Sequence, residues 1–356
     1  MNPITSVDLG EKSYPIYVER DALSRLGTIF ERNLDDASSI TLVTSPVIDR
    51  LYGERILEVL DSDKKILIPE GEEAKTWDIA GEIIGELLEI GVDRKGVVVS
   101  LGGGSVGDLA GFVSSIFLRG IRIIQVPTTL LAMVDSSIGG KTAVNHPKGK
   151  NLIGSFHQPV AVVIDPNLLS SLPQSEIRAG LGEVIKYGVI ADEEILSILE
   201  TEQKGEAPPD LDLLSELIRR SVSIKARYVE KDEFDLLGIR ASLNYGHTLG
   251  HAVERLMNIR HGEAVSIGMD FASRIAVERG IFKEEDQIRQ RQITKNLGLP
   301  YRIPDVPIKN ILSFMRQDKK TVAGKIRFVL PTGMGEEPIL EYVTEDEIKK
   351  ALEDTQ

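Results

Sequence analysis

Residues 96–112 read GVVVSLGGGSVGDLAGF. The β-branched run Val97–Val99 is a strand signal, and the alanine, leucine and phenylalanine after the glycines open a helical pattern. Between them, Gly102, Gly104 and Gly107 satisfy the spacing Gly-x-Gly-x-x-Gly. In that motif, glycines let backbone N–H groups and a helix N-terminus approach a pyrophosphate. The plain alternative is a tight turn that needs small residues. A strand before and a helix after favour the dinucleotide loop. Two details depart from the usual Rossmann form: the loop follows a later strand, and no acid stands about 20 residues on to hold a ribose hydroxyl.

Working outward from the loop, short β-branched runs alternate with amphipathic stretches. TLVTS, KKILIP, GVVVSL, RIIQVP and VAVVID are strand candidates, and Asp21–Leu34, Pro46–Leu60 and Thr76–Ile90 are helix candidates. This alternation predicts a mostly parallel sheet covered by helices. After Asp165-Pro166 the periods lengthen, as in LLSELIRRSVSIKARYV, where Leu214, Leu217, Ile218, Ser221, Ile224 and Tyr228 keep helical spacing. The expected architecture is α/β, with a Rossmann-like NAD-binding domain over 1–165. A mainly α-helical metal- and substrate-binding domain over 166–356 follows it. KGEAPPDLD (204–212) reads as a polar connection between helices, and KIRFVLPTGMGEEPILEYV as a small β-hairpin. There is no internal repeat.

Length and composition agree with a cytoplasmic enzyme. A chain of 356 residues is long enough for two cores, and 42% hydrophobic residues is ordinary for a globular protein. The absence of cysteine excludes disulfides and thiolate metal sites. MNPITSVDLGEKSY has no apolar h-region, and no apolar run nears the ~20 residues of a membrane span. A net charge of −13 argues against nucleic acid or an anionic membrane as partner.

Three of the five histidines, His247, His251 and His261, lie in NYGHTLGHAVERLMNIRHGEAVSIGM. Neutral imidazole is the commonest metal ligand at physiological pH. His247 and His251 are four apart, so on a helix they share a face, and spacing alone makes them the ligand pair. Ordinary capping or core histidines are the bland alternative, which a third histidine nearby disfavours. Without cysteine, a further ligand must be a carboxylate or another histidine, which suits Zn²⁺ with an open, catalytic position.

VPTTLLAMVDSSIGGKTAVNHPKGKN places Asp135, Lys141, Lys148, Lys150 and Asn151 in what reads as a Gly/Ser-rich connection. GGKT is similar to a phosphate loop, but position 135 is Asp where that pattern requires Gly, so a nucleoside-triphosphatase is rejected. A solvated charged loop is the simple account. Lysines among glycines in an acidic chain also suit an anionic substrate. In RAGLGEVIKYG, Glu183 and Lys186 stand at i, i+3; such a pair usually lies on the surface, but its apolar neighbours favour burial.

Taken together, PEGEEAK, GGGSVGDLAGF, RGIRIIQVPTTLLAMVDSSIGGKTAVNHPKGKNLIGSFHQP, DPNLLSSLP, RAGLGEVIKYG, RASLNYGHTLGHAVE, HGEAVSIGM and DKKTVAGKIRFVLP resemble the 3-dehydroquinate synthases, a family of sugar-phosphate cyclases. The resemblance covers roughly residues 69–331, in family order. Ser105 stands where valine is common, His157 where tyrosine is frequent and Ser171 where threonine is usual. None of these departures removes a chemical group the reaction needs.

The resemblance implies Glu183, His247 and His261 as ligands of Zn²⁺ or Co²⁺, and turns His251 toward the substrate phosphate. It implies NAD contacts at Glu70, Gly71, Glu72, Lys75, Gly103, Gly104, Ser105, Val106, Gly107, Asp108, Thr128, Thr129, Lys141, Lys150 and Leu168, Leu169, Ser170 and Ser171. Substrate and catalytic positions implied are Arg119, Asp135, Lys141, Lys150, Asn151, Lys186, Lys225, Arg240, Asn244, His251 and a lysine of the Asp318-Lys319-Lys320 run, with Lys319 taken first. The implied reaction converts 3-deoxy-arabino-heptulosonate 7-phosphate to 3-dehydroquinate and phosphate in the shikimate pathway, with NAD used catalytically, in a homodimer. The rival readings are another sugar-phosphate cyclase, a glycerol-1-phosphate or polyol dehydrogenase, and a non-catalytic nucleotide-binding protein. With the glycine loop before residue 165 and the metal ligands after it, the site is expected to draw on both domains.

Overall fold

The computed structural model describes residues 2–34, 36–202, 209–303, 306–318 and 325–353. Its chain forms two compact units, one of residues 1–172 with 214–234, the other of 173–213 with 235–356. The first unit is therefore not continuous in sequence.

In the first unit, seven strands form one sheet: β1 (Thr5–Val7), β2 (Tyr14–Val18), β3 (Ile40–Thr44), β4 (Lys65–Leu67), β5 (Val97–Gly102), β6 (Arg122–Pro127) and, after a separate hairpin, β9 (Ala161–Ile164). Their order is β1-β2-β9-β6-β5-β3-β4. Every pairing is parallel except β1 with β2. The five expected strands are all present; the two N-terminal ones were not anticipated. All six residues of β5 are buried, as a central strand covered on both faces requires.

The helices Trp77–Glu89 and Gly104–Ile116 lie against this sheet. Ile83, Leu87, Leu109, Phe112 and Val113 pack with Val98 and Ile123 in one buried cluster, each contributing about 1.5–3 kcal/mol relative to exposure. The first helix starts where a cap residue permits: the Thr76 hydroxyl accepts from Ile79 N at 3.2 Å. Pro46–Ile48, Asp49–Gly53 and Glu54–Val59 run on without a break, the middle part with π-type bonding.

The lysine-rich run departs from its sequence reading as a loop. Lys141–His146 (β7) and Gly149–Phe156 (β8) form an antiparallel hairpin, with a register shift between Val144 and His146. Thr142, Ala143 and Val144 are buried. Glycines and lysines carry weak strand propensity, so packing rather than composition decides this element.

The second unit is mainly helical. It holds Gln174–Ala191, Glu193–Glu202, His247–Met257, His261–Glu278, Glu284–Asn296, Ile308–Asp318 and Glu345–Glu353, with one hairpin of β10 (Lys325–Leu330) and β11 (Ile339–Thr344). That hairpin matches the sequence expectation. Helices here approach at glycines: a Cβ on Gly262 would strike the Ala179 carbonyl, so the start of His261–Glu278 sits directly on Gln174–Ala191. No helix among the described residues is long and apolar enough to cross a membrane.

Candidate active site

The glycine loop of the first unit is built as the sequence predicts. Gly103 is the residue before the helix Gly104–Ile116, and no side chain caps it. The first N–H groups of a helix have no partner inside it, so the loop presents donors and the positive end of a helix dipole. A Cβ on Gly107 would come within 2.7 Å of Gln125 Oε1 on β6; glycine there lets helix and sheet close together. Thr128, at the end of β6, donates its N–H to Gly102 O at 2.9 Å. Its hydroxyl is buried with no hydrogen-bond partner among the described residues, an orphaned polar atom beside the loop that suits a bound polar ligand.

Lys75 anchors a polar network next to this loop. The residue is 3% exposed, and its Nζ reaches Asp108 Oδ2 at 2.7 Å, Asn151 Oδ1 at 2.6 Å and Glu72 Oε1 at 3.5 Å. Burial pushes the Asp108 carboxyl up to about 6, against the opposing pull of Lys75. Glu72 also accepts from Ser105 Oγ at 3.1 Å and from Asn145 Nδ2 at 2.8 Å. Asn145 in turn accepts from Asn151 N at 2.9 Å, where Asn151 holds a left-handed φ of 57°. Asn145 was not expected from sequence, since nothing in its spacing marks it.

The other residues expected from sequence in this unit are placed separately. Asp135 and Lys225 meet, with Lys225 Nζ 2.6 Å from Asp135 Oδ1. Ser171 Oγ accepts from Tyr52 OH at 2.8 Å, and Leu168 and Leu169 are core residues that offer a ligand only backbone. Lys141 and Lys150 are exposed on β7 and β8. Arg119 is not brought to the loop. It follows the far end of the helix Gly104–Ile116, about 20 Å away at 1.5 Å per residue, exposed and in a left-handed conformation with φ 72°.

The second unit gathers Glu183, His247 and His261. One ligand atom from each lies within 4.8 Å of the others. Glu183 Oε1 stands 3.5 Å from both His247 Nε2 and His261 Nε2. Donors about 2.1 Å from a shared tetrahedral Zn²⁺ stand about 3.4 Å apart, so the cluster fits such an ion. The spacing-based pair His247 and His251 does not hold as the ligand set. The His251 ring lies 5.4 and 6.0 Å from those of His247 and His261, and its donors are not part of the cluster. One helical face is shared, but that face also carries Glu254, and the cluster takes one donor from each of three helices.

Both histidines of the cluster are oriented from behind. His247 Nδ1 lies 3.1 Å from Tyr245 O, which can only accept, so Nδ1 carries the proton and Nε2 the lone pair. Burial holds the His247 pKa well below its ordinary value, against the raising effect of Glu183. His261 Nδ1 lies 2.8 Å from Glu254 Oε2. Burial opposes charge on His261 too, but hydrogen bonds to Glu183 and Glu254 outweigh it and push the pKa up to about 10; a cation in the cluster would take the place of that proton. Glu254 was missed from sequence, although His247, His251 and Glu254 at i, i+4 and i+7 form one stripe.

The buried reading of the Glu183–Lys186 pair holds: the side chains are 0% and 1% exposed and form an ion pair, with Lys186 Nζ 4.6 Å over the Tyr187 ring. Arg240 is buried and Asn244 half-buried on the turn Arg240–Asn244. Lys319 and Lys320 lie outside the described residues.

This geometry coincides with a broad similarity to known proteins. The family model described as 3-dehydroquinate synthase N-terminal matches residues 65–179, and its C-terminal counterpart matches 180–321. The 3-dehydroquinate synthase of Nostoc punctiforme is 45% identical over 365 aligned positions, covering 99% of each chain. The chain belongs to the 3-dehydroquinate synthase family. Among solved structures, a 2-deoxy-scyllo-inosose synthase complexed with carbaglucose-6-phosphate, NAD⁺ and Co²⁺ aligns with a TM-score of 0.89 at 24% identity, covering 99% of this chain and 100% of that one. The 2-epi-5-epi-valiolone synthase of Streptomyces hygroscopicus, with NAD⁺ and Zn²⁺ bound, aligns at 0.84 with 28% identity over 98% of each. As a member of the 3-dehydroquinate synthase family, the chain shares the α/β fold of these cyclases. Its own glycine loop and Glu183–His247–His261 cluster have the chemistry that a dinucleotide and a divalent metal require.

Proposed function

We propose that this chain converts 3-deoxy-arabino-heptulosonate 7-phosphate to 3-dehydroquinate and phosphate, using NAD catalytically with Zn²⁺ or Co²⁺. The observation that carries the reading is the buried Glu183–His247–His261 cluster, oriented by Tyr245 O and Glu254, in a chain of this family. When bound, the metal would polarise a substrate hydroxyl and NAD would accept and return a hydride.

The chain's own groups have separate tasks. The loop of Gly103, Gly104, Ser105, Val106 and Gly107 would cradle the pyrophosphate. Glu70, Gly71, Glu72, Lys75, Asp108, Thr128, Thr129 and the segment Leu168–Ser171 complete the dinucleotide contacts. Lys141, Lys150, Lys186 and Arg240 would hold phosphate and carboxylate by charge-assisted bonds, with Asn151, Asn244 and Lys319 as further substrate contacts. The Lys225–Asp135 pair keeps a carboxylate and an ammonium in fixed positions for the substrate's hydroxyls. His251, beside the metal cluster but outside it, would serve the phosphate and proton transfer. The glycine-loop domain would take NAD and the helical domain the metal, in a homodimeric cytoplasmic enzyme of the shikimate pathway and aromatic amino-acid biosynthesis.

Dehydrogenases with a glycine loop and a carboxylate–histidine metal site are the contrasting class, and they release one NADH per product. The test is to supply the heptulosonate phosphate with substoichiometric NAD⁺ and follow phosphate and absorbance at the NADH band. Phosphate should exceed NAD⁺ many-fold without matching NADH. NADH accumulating in step with product, with no phosphate released, would overturn the proposal.

A further inference from the structure

His247 can offer its Nε2 lone pair to the cluster because Tyr245 O, 3.1 Å from Nδ1, holds the proton there. That carbonyl belongs to the backbone, so its position depends on what fixes the chain at Tyr245 and Gly246. Tyr245 closes the turn Arg240–Asn244, its N–H donating to Ser242 O at 3.2 Å. Gly246 then takes a left-handed φ of 81° directly before the helix His247–Met257.

Two neighbouring helices hold this short link. The backbone lies on His261–Glu278, the helix whose first residue is the other histidine of the cluster. A Cβ on Gly268 would come 1.8 Å from Gly246 O, and one on Gly246 would come 2.7 Å from Val265 O. Glycine at both positions lets the link sit directly on the helix. The Tyr245 side chain engages the same helix and the next one, Glu284–Asn296: its hydroxyl lies 3.1 Å from Met269 O and 2.8 Å from Gln290 Oε1. Tyr245 is 0% and Gln290 1% exposed, so the pair is shut away from solvent. Backbone seat and side-chain anchor together set where His247 stands relative to His261, with ring centroids 5.1 Å apart.

We infer that Tyr245 and Gln290 form a latch that keeps the two histidine-bearing helices in register for a metal ion. The bond to Gln290 anchors Tyr245, the Tyr245 carbonyl aims His247, and the cluster keeps a spacing that fits a tetrahedral ion. Both are positioning residues, since the donors of the cluster are Glu183, His247 and His261. The inference rests on the proposed use of a metal. The ordinary account of the pair is a satisfied polar contact in a helical core, which adds stability and nothing more.

The test compares three variants of the full-length protein with the wild type. Tyr245→Phe keeps the ring and removes the hydroxyl, and Gln290→Met removes the acceptor at similar volume. Ile293→Val, buried on the same helix as Gln290, is the control: it loses stability through a missing methyl group alone. Each metal-free protein is titrated with Co²⁺ against a chelator of known affinity, with the visible spectrum and the melting temperature recorded. Tyr245→Phe and Gln290→Met should each weaken Co²⁺ binding about tenfold, the low end for groups behind metal-bound histidines, and shift the Co²⁺ bands. The double variant should bind no more weakly than the weaker single one, because both changes break the same bond. Ile293→Val should melt lower while keeping wild-type affinity and spectrum. If Tyr245→Phe does not fold, Gln290→Met decides the matter. Wild-type affinity and spectrum in Gln290→Met, whatever its melting temperature, would reduce the pair to core packing and overturn the inference, as would fully additive losses in the double variant. Tight Co²⁺ binding by the wild type would still leave the metal reading intact in those cases, whereas a wild type that binds no Co²⁺ would overturn that reading and this inference with it.

Discussion

Replacing Glu254 with glutamine probes how the metal cluster is held, because Glu254 itself is not among its ligands. Glu254 Oε2 lies 2.8 Å from His261 Nδ1, and the side chain is 16% exposed. An ionised carboxylate can only accept, so it pins the proton on Nδ1 and aims the Nε2 lone pair at the position shared with Glu183 Oε1, 3.5 Å away. Glutamine fills the same volume but brings an NH₂ group and no charge. The His261 ring then loses both its fixed tautomer and the electron density that makes Nε2 a strong donor. Carboxylates behind metal-bound histidines are worth roughly 10–100-fold in metal affinity, which is about 1.4–2.7 kcal/mol. The assay is titration of the metal-free protein with Co²⁺ against a chelator of known affinity, read by the visible Co²⁺ absorption. Glu254→Gln should weaken binding by that factor and change the band shape; at neutral pH it should also lower the melting temperature of the metal-free protein, because protonated His261 loses one of the two carboxylates that raise its pKa. Wild-type affinity with an unchanged spectrum would refute the positioning role, whatever happened to turnover.

Other substitutions separate the roles of neighbouring groups. His251→Ala should retain metal and lose turnover; metal loss comparable to His247→Ala, measured by elemental analysis, would restore the ligand pair read from spacing. Glu183→Gln should lower metal content and activity together. It should also destabilise the metal-free protein measurably in a denaturant titration, because the buried Lys186 loses the carboxylate of this ion pair; full occupancy with unchanged stability would exclude the assignment. Asp108 holds its proton more tightly when folded, from an ordinary value of 3.8 up to about 6. Its contribution to stability is thus complete below pH 3.8 and lost as pH rises to about 6, by at most about 3 kcal/mol. Asp108→Asn should flatten that slope, and parallel pH profiles of unfolding for variant and wild type would contradict it.

Much of the fold is legible along the chain because short-range physics sets it. The β-branched runs of β3, β5, β6 and β9 are largely buried strands, and burial on both faces makes them mostly apolar, whereas the edge strand β4 buries only Ile66. The glycine loop is readable from its spacing between a strand and a helix, and at Gly107 a small residue keeps the helix beginning at Gly104 clear of the Gln125 amide of β6. The expected burial of Glu183 and Lys186 follows from the apolar residues around them. The tertiary structure decided what depends on partners distant in sequence. His247 and His251 share a face, yet the carboxylate of the cluster comes from Gln174–Ala191, some 60 residues earlier, so helical spacing alone does not assemble the cluster. The run around Lys141–Phe156 became a hairpin because its neighbours bury Thr142, Ala143 and Val144, although its composition reads as loop. Spacing reports which side chains one element presents together. Which elements meet is settled by packing between segments far apart in the chain, and a cluster such as Glu183–His247–His261 is assembled only there.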